Sequence, residues 1–175
     1  MNLNEHLINA KAGLSGLFES LMEEARRNPR LRSNVLLRSS NETGSPAFMV
    51  NALLPGTYVR PHKHIDGQEI IIPTHGSARL MLFHENGRVK YNRNLVSGGN
   101  SEETYLGVIE KGEYHTLIVP RNSPGVVVME FFGAVYKPKS YKTFPDWAPL
   151  EEDSQSAREY LEKLGNEAEL LIRQR

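Results

Sequence analysis

The chain contains no cysteine, which excludes disulfides and thiolate metal sites, so any metal here is bound by the nitrogen and oxygen of His, Asp and Glu. Neither sign of charge predominates. Lys plus Arg and Asp plus Glu each number 21, so no global field draws the chain to nucleic acid or to an anionic membrane, and neither partner is expected. No segment approaches the roughly 20 apolar residues needed to cross a bilayer. The N-terminal MNLNEHLINAKAGLSGLFESL also lacks the basic head and continuous apolar run of a secretory signal. A soluble cytoplasmic protein is therefore expected. A length of 175 residues suits one well-buried core rather than two independent domains.

From Leu3 to about Arg27, apolar residues recur at helical spacing through Leu7, Leu14, Leu17, Leu21 and Ala25, and Asn28-Pro29 ends the pattern. The basic ARRNPRLR that follows reads as a solvated helix end complementing the macrodipole. The periodicity then changes. SNVLLRS, AFMVNALL, EIII, SARLMLF, the strand after Asn86-Gly87, TYLGVIE, HTLIV and GVVVMEFFGAVY are short runs bracketed by turn residues. Roughly eight to ten closely spaced strands with no helix between them predict an antiparallel barrel or jelly roll. KPKSYKTFPDWAPLEED then reads as an ordered strap. A charged amphipathic helix closes the chain, with Leu161, Leu164, Ala168 and Leu171 on its apolar face and Gly165 as a candidate break. The expected division is a helical extension over 1–33, a barrel over 34–136, and a strap with C-terminal helix over 137–175.

The chemistry concentrates in GTYVRPHKHIDGQEIIIPTHG, Gly56 to Gly76. His62 and His64 are two apart, so on an extended strand both imidazoles project from one face. The Asp66-Gly67 turn signal lets Glu69 fold back beside them. His115 stands where a turn delivers a residue to the start of a strand, which in a barrel can lie opposite the first two histidines. Three imidazoles and a carboxylate suit one divalent transition metal, Fe(II), Mn(II), Ni(II), Co(II) or Zn(II), with one or two positions open to water or substrate.

Gly56-x5-His62-x-His64-x4-Glu69-x6-Gly76 resembles the whole first cupin motif, and Gly112-x2-His115 the centre of the second, where Glu110 and Val119 replace the usual proline and asparagine. NPRLRSNVLLRSS, NALLPGTYVRPHKH, EKGEYHTL and FPDWAPLEED further resemble the WbuC-type cupin metalloproteins over roughly Asn28 to Asp153. That resemblance implies a cupin barrel, a bound divalent metal and a link to nucleotide-sugar metabolism in bacterial polysaccharide synthesis. It implies no particular reaction.

Beyond the ligands, strand alternation places Tyr58 and Arg60 on the face of His62 and His64, as substrate-binding candidates. Arg60 either fixes a carboxylate or phosphate with its planar fork or caps the barrel mouth. Glu130 sits amid apolar residues in GVVVMEFFG, either desolvated and suited to proton transfer or paired with a buried Arg such as Arg79. His6, His75 and His84 have no ligand partner at useful spacing, and Trp147 and Tyr141 read as packing residues. The functional expectation is a metal-dependent enzyme on a small polar substrate, a sugar or sugar nucleotide, through isomerase, epimerase or lyase chemistry. An Fe(II) dioxygenase and a non-catalytic metal-dependent sensor are the alternatives. A homodimer through the amphipathic termini is also expected.

Overall fold

A computed structural model describes residues 13–37, 46–98, 105–135 and 142–173. His6 and Tyr141 lie outside them, as do the side chains of Leu14, Ala168 and Leu171. The chain runs α1 (Gly13–Arg27), β1 (Arg32–Leu36), β2 (Pro46–Leu53), β3 (Glu69–Phe83), β4 (Val89–Val96), β5 (Gly107–Ile109), β6 (Tyr114–Ile118), β7 (Val126–Val135) and α2 (Ser154–Arg173). Every strand pair is antiparallel.

β3 organises the molecule. Its first half pairs with β7 and β5, continuing through β2 to β1, while its second half pairs with β4 and β6. EIII and SARLMLF, expected as two strands, are therefore one strand of 15 residues. Pro73 does not break it because the register shifts between Pro73 and His75, a bulge that absorbs the missing donor. Gly76 follows at φ 70, where a side chain would run into the Gly125 carbonyl. Seven strands are present among the described residues, and β1 and β4, the ends of the pairing path, are not joined. The expected antiparallel barrel or jelly roll is thus present in open form, as two sheets that share β3.

Between the sheets lies a core of Leu53, Ile71, Leu80, Leu82, Leu95, Ile109, Leu117, Val126 and Val128. Each outer face takes one helix. Leu17, Leu21, Met22 and Ala25 of α1 pack on Val35, Val50, Ala52 and Val127. Truncating Leu21, fully buried there, is a cavity-forming change of about 2–5 kcal/mol. α1 stops at Arg27, where Pro29 follows and Asn28 Oδ1 accepts from the Arg30 N–H.

On the other sheet Leu161 and Leu164 of α2 join Met81, Phe83, Tyr114 and Ile118, together with Trp147 of the strap. Asp153 caps α2 by accepting from the Ser156 N–H at 3.1 Å, and the helix continues through Gly165 without a break. Trp147 is a packing residue. Its ring lies on Phe83 and Tyr114 and its Nε1–H donates to the Glu85 carbonyl at the β3–β4 turn. Among the described residues no helix is long and apolar enough to cross a membrane.

Candidate metal centre

The segment carrying His62, Lys63 and His64 is held on both sides. His62 exchanges backbone hydrogen bonds with His115 of β6, and Lys63 exchanges them with Thr143 of the strap at 2.9 Å each way. Glu69 enters from the inner face of β3, in the same row as Phe132 of β7. His62, His64, Glu69 and His115 are all buried, and each offers one ligand atom within 4.8 Å of the others. The imidazole centroids stand 4.4, 5.1 and 5.5 Å apart.

Backbone carbonyls fix the tautomers of two of these rings. His62 Nδ1 lies 2.9 Å from the Arg60 carbonyl, and His115 Nδ1 lies 3.0 Å from the Glu113 carbonyl. A carbonyl only accepts, so both Nδ1 atoms carry hydrogen and both Nε2 atoms present lone pairs inward. Burial, with the Lys142 ammonium next, pushes the His62 imidazole well below its ordinary value and keeps it neutral.

Glu69 Oε2 stands 2.8 Å from His115 Nε2 and 3.2 Å from His64 Nε2, yet it is buried and accepts no hydrogen bond. A buried carboxylate oxygen facing imidazole lone pairs is stable only with positive charge between them. The donor set fits a divalent transition metal with nitrogen and oxygen ligands, and not a structural thiolate site.

The cluster opens into a cavity of about 320 Å³, lined also by Asn51, Arg60, Glu130, Lys142, Phe144 and Glu151. Glu130 follows Ile71 and Met49 in a row on the inner face, next to the row of Glu69 and Phe132. Burial, then the Glu69 charge, pushes its carboxyl up to about 7, against the pull of Lys142 and of a hydrogen bond with Asn51. The alternative pairing with Arg79 does not form. Arg79 donates to Asn92 and lines a different groove.

Arg60 lines the cavity edge, its Nε and Nη2 donating to the Ala148 and Pro145 carbonyls of the strap. Tyr58 is near enough for the Arg60 charge to act on its hydroxyl, but it lines a different groove. Residues 57–61 form no strand, so the alternation that grouped the two does not hold. The Tyr58 hydroxyl donates to the Pro149 carbonyl at 3.0 Å, and its ring stands edge-on to Tyr160 of α2, lining the other groove. His75 and His84 are exposed and apart from the cluster.

The sequence reading missed Asn51, Lys142 and Phe144 in this cavity. Asn51 carried a signal, a lone amide inside the apolar run AFMVNALL; Lys142 and Phe144 carried none, since only the docking of the strap brings them here.

The model of a family described as a domain of unknown function, DUF6016, matches residues 15–95. No curated protein matches the chain. Among solved structures, oxalate decarboxylase from Bacillus subtilis at pH 4.6 is similar with a TM-score of 0.50 and 19% identity, over 65% of this chain and 27% of that one. Capsular polysaccharide assembling protein CapF from Staphylococcus aureus gives a TM-score of 0.47 at 15% identity, over 65% of this chain and 32% of that one. A conserved protein of unknown function from Streptococcus pyogenes gives 0.43 at 12%, over 60% and 76%. The chain spans about a quarter of the decarboxylase it matches. That likeness shows a cupin-type fold.

Proposed function

We propose that the chain is a metal-dependent cupin enzyme that binds one divalent transition metal through His62, His64, Glu69 and His115 and converts a small polar substrate. The reaction is of the isomerase, epimerase or lyase type. The observation that supports it is Glu69 Oε2, buried without a hydrogen bond against two imidazole nitrogens, at the wall of a cavity that also holds Glu130. When bound, an ion of Fe, Mn, Ni, Co or Zn supplies Lewis-acid polarisation of a substrate oxygen.

The chain's own residues supply the rest. Glu130, with a carboxyl near 7, both accepts and returns a proton at neutral pH, and Asn51 fixes its orientation. Phe144 lies 6.1 Å from the His62 ring and narrows the approach of water. A cavity of about 320 Å³ is at the small end of ligand pockets, which run from about 300 to 1,000 Å³. A single sugar suits that volume, and the nucleotide of a sugar nucleotide would extend beyond it. The WbuC-type resemblance supports a place in bacterial polysaccharide metabolism.

Elemental analysis of purified protein, followed by reconstitution with Fe, Mn, Ni and Zn and assay against monosaccharides and their acids, tests this. Stoichiometric metal with turnover is the expected result. Ligand binding by every metal form, with no conversion and no consumption of dioxygen, would make the chain a sensor instead of an enzyme.

A further inference from the structure

We infer that Glu113 is a positioning residue of the metal centre: by closing the turn at residues 110–113 it fixes the ring of His115 and sets how tightly the ion is held. The inference rests on the metal reading of the cluster.

The turn joins β5 to β6, and the Glu113 N–H closes it by donating to the Glu110 carbonyl at 3.1 Å. Gly112, at its third position, has φ 83, the left-handed value that this position of a type II turn takes. Contacts run from this one turn to three of the four ligand segments. The Gly112 N–H donates to the His64 carbonyl at 2.8 Å. The Glu113 carbonyl accepts from His115 Nδ1 at 3.0 Å. Glu110 Oε2 accepts at 2.6 Å from the side-chain amide of Gln68, the residue before Glu69. His62 is reached one step later, through its paired backbone hydrogen bonds with His115.

The Glu113 side chain holds the turn shut. Its Oε2 accepts from the Glu110 N–H at 3.2 Å, so Glu110 and Glu113 are bonded in both directions across the turn. Its Oε1 receives the Lys90 ammonium of β4. The residue whose side chain closes the turn thus also carries the carbonyl that orients His115. An imidazole lone pair is directional, and the hydrogen bond at the other ring nitrogen sets where it points, so a carbonyl that drifts takes the ligand atom with it. Of the two bonds made by the Glu113 carboxylate, the one within the turn carries the effect. Lys90 is half exposed, and an ion pair in that setting contributes little. None of residues 110–113 lines the cavity, so changing them leaves the substrate's surroundings as they are.

The test is competition for zinc between a coloured chelator and the full chain, as wild type, Glu113→Ala, Glu113→Gln and Lys90→Gln. The visible absorption of each cobalt-loaded form and the melting temperature of each metal-free form are measured alongside. Glu113→Ala removes the acceptor for the Glu110 N–H, and should weaken zinc roughly 10-fold and shift the cobalt bands. Glutamine keeps an oxygen for that N–H, so Glu113→Gln should return to within about 3-fold of wild type, as should Lys90→Gln. Wild-type zinc affinity and cobalt bands in Glu113→Ala, whatever its melting temperature, would overturn the inference. So would a loss in Glu113→Gln or Lys90→Gln as large as in Glu113→Ala, which would trace the effect to charge. Absence of zinc from wild type sinks the metal reading alone, because hydrogen exchange in the metal-free chain still reports on the turn. There the Gly112 and His115 amides should exchange roughly 5-fold faster in Glu113→Ala, as the loss of one hydrogen bond implies, and unchanged exchange would overturn the role of Glu113 by itself.

Discussion

His115 Nε2 and Glu69 Oε2 lie 2.8 Å apart, both buried, with no hydrogen bond at the carboxylate oxygen. The carbonyl of Glu113 holds the proton of His115 on Nδ1, so lone pair meets lone pair unless a cation intervenes. Replacing the carboxylate by an amide places an N–H donor there. Glu69→Gln is therefore expected to lower metal affinity at least ~100-fold while leaving the metal-free protein as stable as wild type or more so. Metal titration and calorimetric melting of chelator-treated protein check the two halves. A variant that keeps its metal, or melts well below wild type when metal-free, contradicts the assignment.

The histidines divide into two groups by place. His62→Ala, His64→Ala and His115→Ala are expected to abolish metal retention, because each removes a buried ligand atom from a set within 4.8 Å. His75→Ala and His84→Ala change exposed side chains and should retain the full complement. Elemental analysis of the five variants after gel filtration decides the matter, and equal loss in both groups refutes the ligand set.

The cluster was legible because local rules generate most of it. His62, His64 and Glu69 follow from period-two projection and an Asp-Gly turn, and only His115 needed a long-range pairing. Both helices and most strands were legible from periodicity in the same way. Reasoning failed where regular geometry was assumed and absent. Tyr58 was grouped with Arg60 by alternation across residues 57–61, which form no strand. EIII and SARLMLF read as two strands but form one, because a bulge after Pro73 lets the pairing continue. The docking of Lys142 and Phe144 is likewise a tertiary event, set by the Thr143 bridge and by Trp147 on the far sheet.

Glu130 gives the metal-free protein a pH signature of defined sign. Its carboxyl, ordinarily at 4.5, is pushed up to about 7 in the fold by burial first and by the Glu69 charge next. Between those values the folded chain keeps a proton that the unfolded chain has released, so stability falls as pH rises through that window. The full loss is up to about 3 kcal/mol, taking about 1.36 kcal/mol per pKa unit. Glu130→Gln should match wild type near pH 4 and exceed it at pH 8, as read by urea denaturation at each pH. Parallel stability curves for the two proteins would place the ionisable group elsewhere.

The strap is expected to control how fast the site releases its metal more than how stable the fold is. Thr143 and Lys63 exchange hydrogen bonds at 2.9 Å, so the segment bearing His62 and His64 is braced between β6 and the strap. Thr143→Pro removes the donor to the Lys63 carbonyl and leaves the strap anchored by Trp147 and by the two Arg60 hydrogen bonds. The loss of stability should be about 1 kcal/mol, the net worth of one hydrogen bond. Metal release has a different dependence. Two ligand histidines lose one of their two lateral supports, and residues that hold ligands in orientation typically change metal affinity by roughly 10- to 100-fold. Transfer of zinc to a coloured chelator, followed by absorbance, should therefore run at least ~10-fold faster in the variant. An unchanged transfer rate with a lowered melting temperature would show that the bridge supports the strap and not the metal centre.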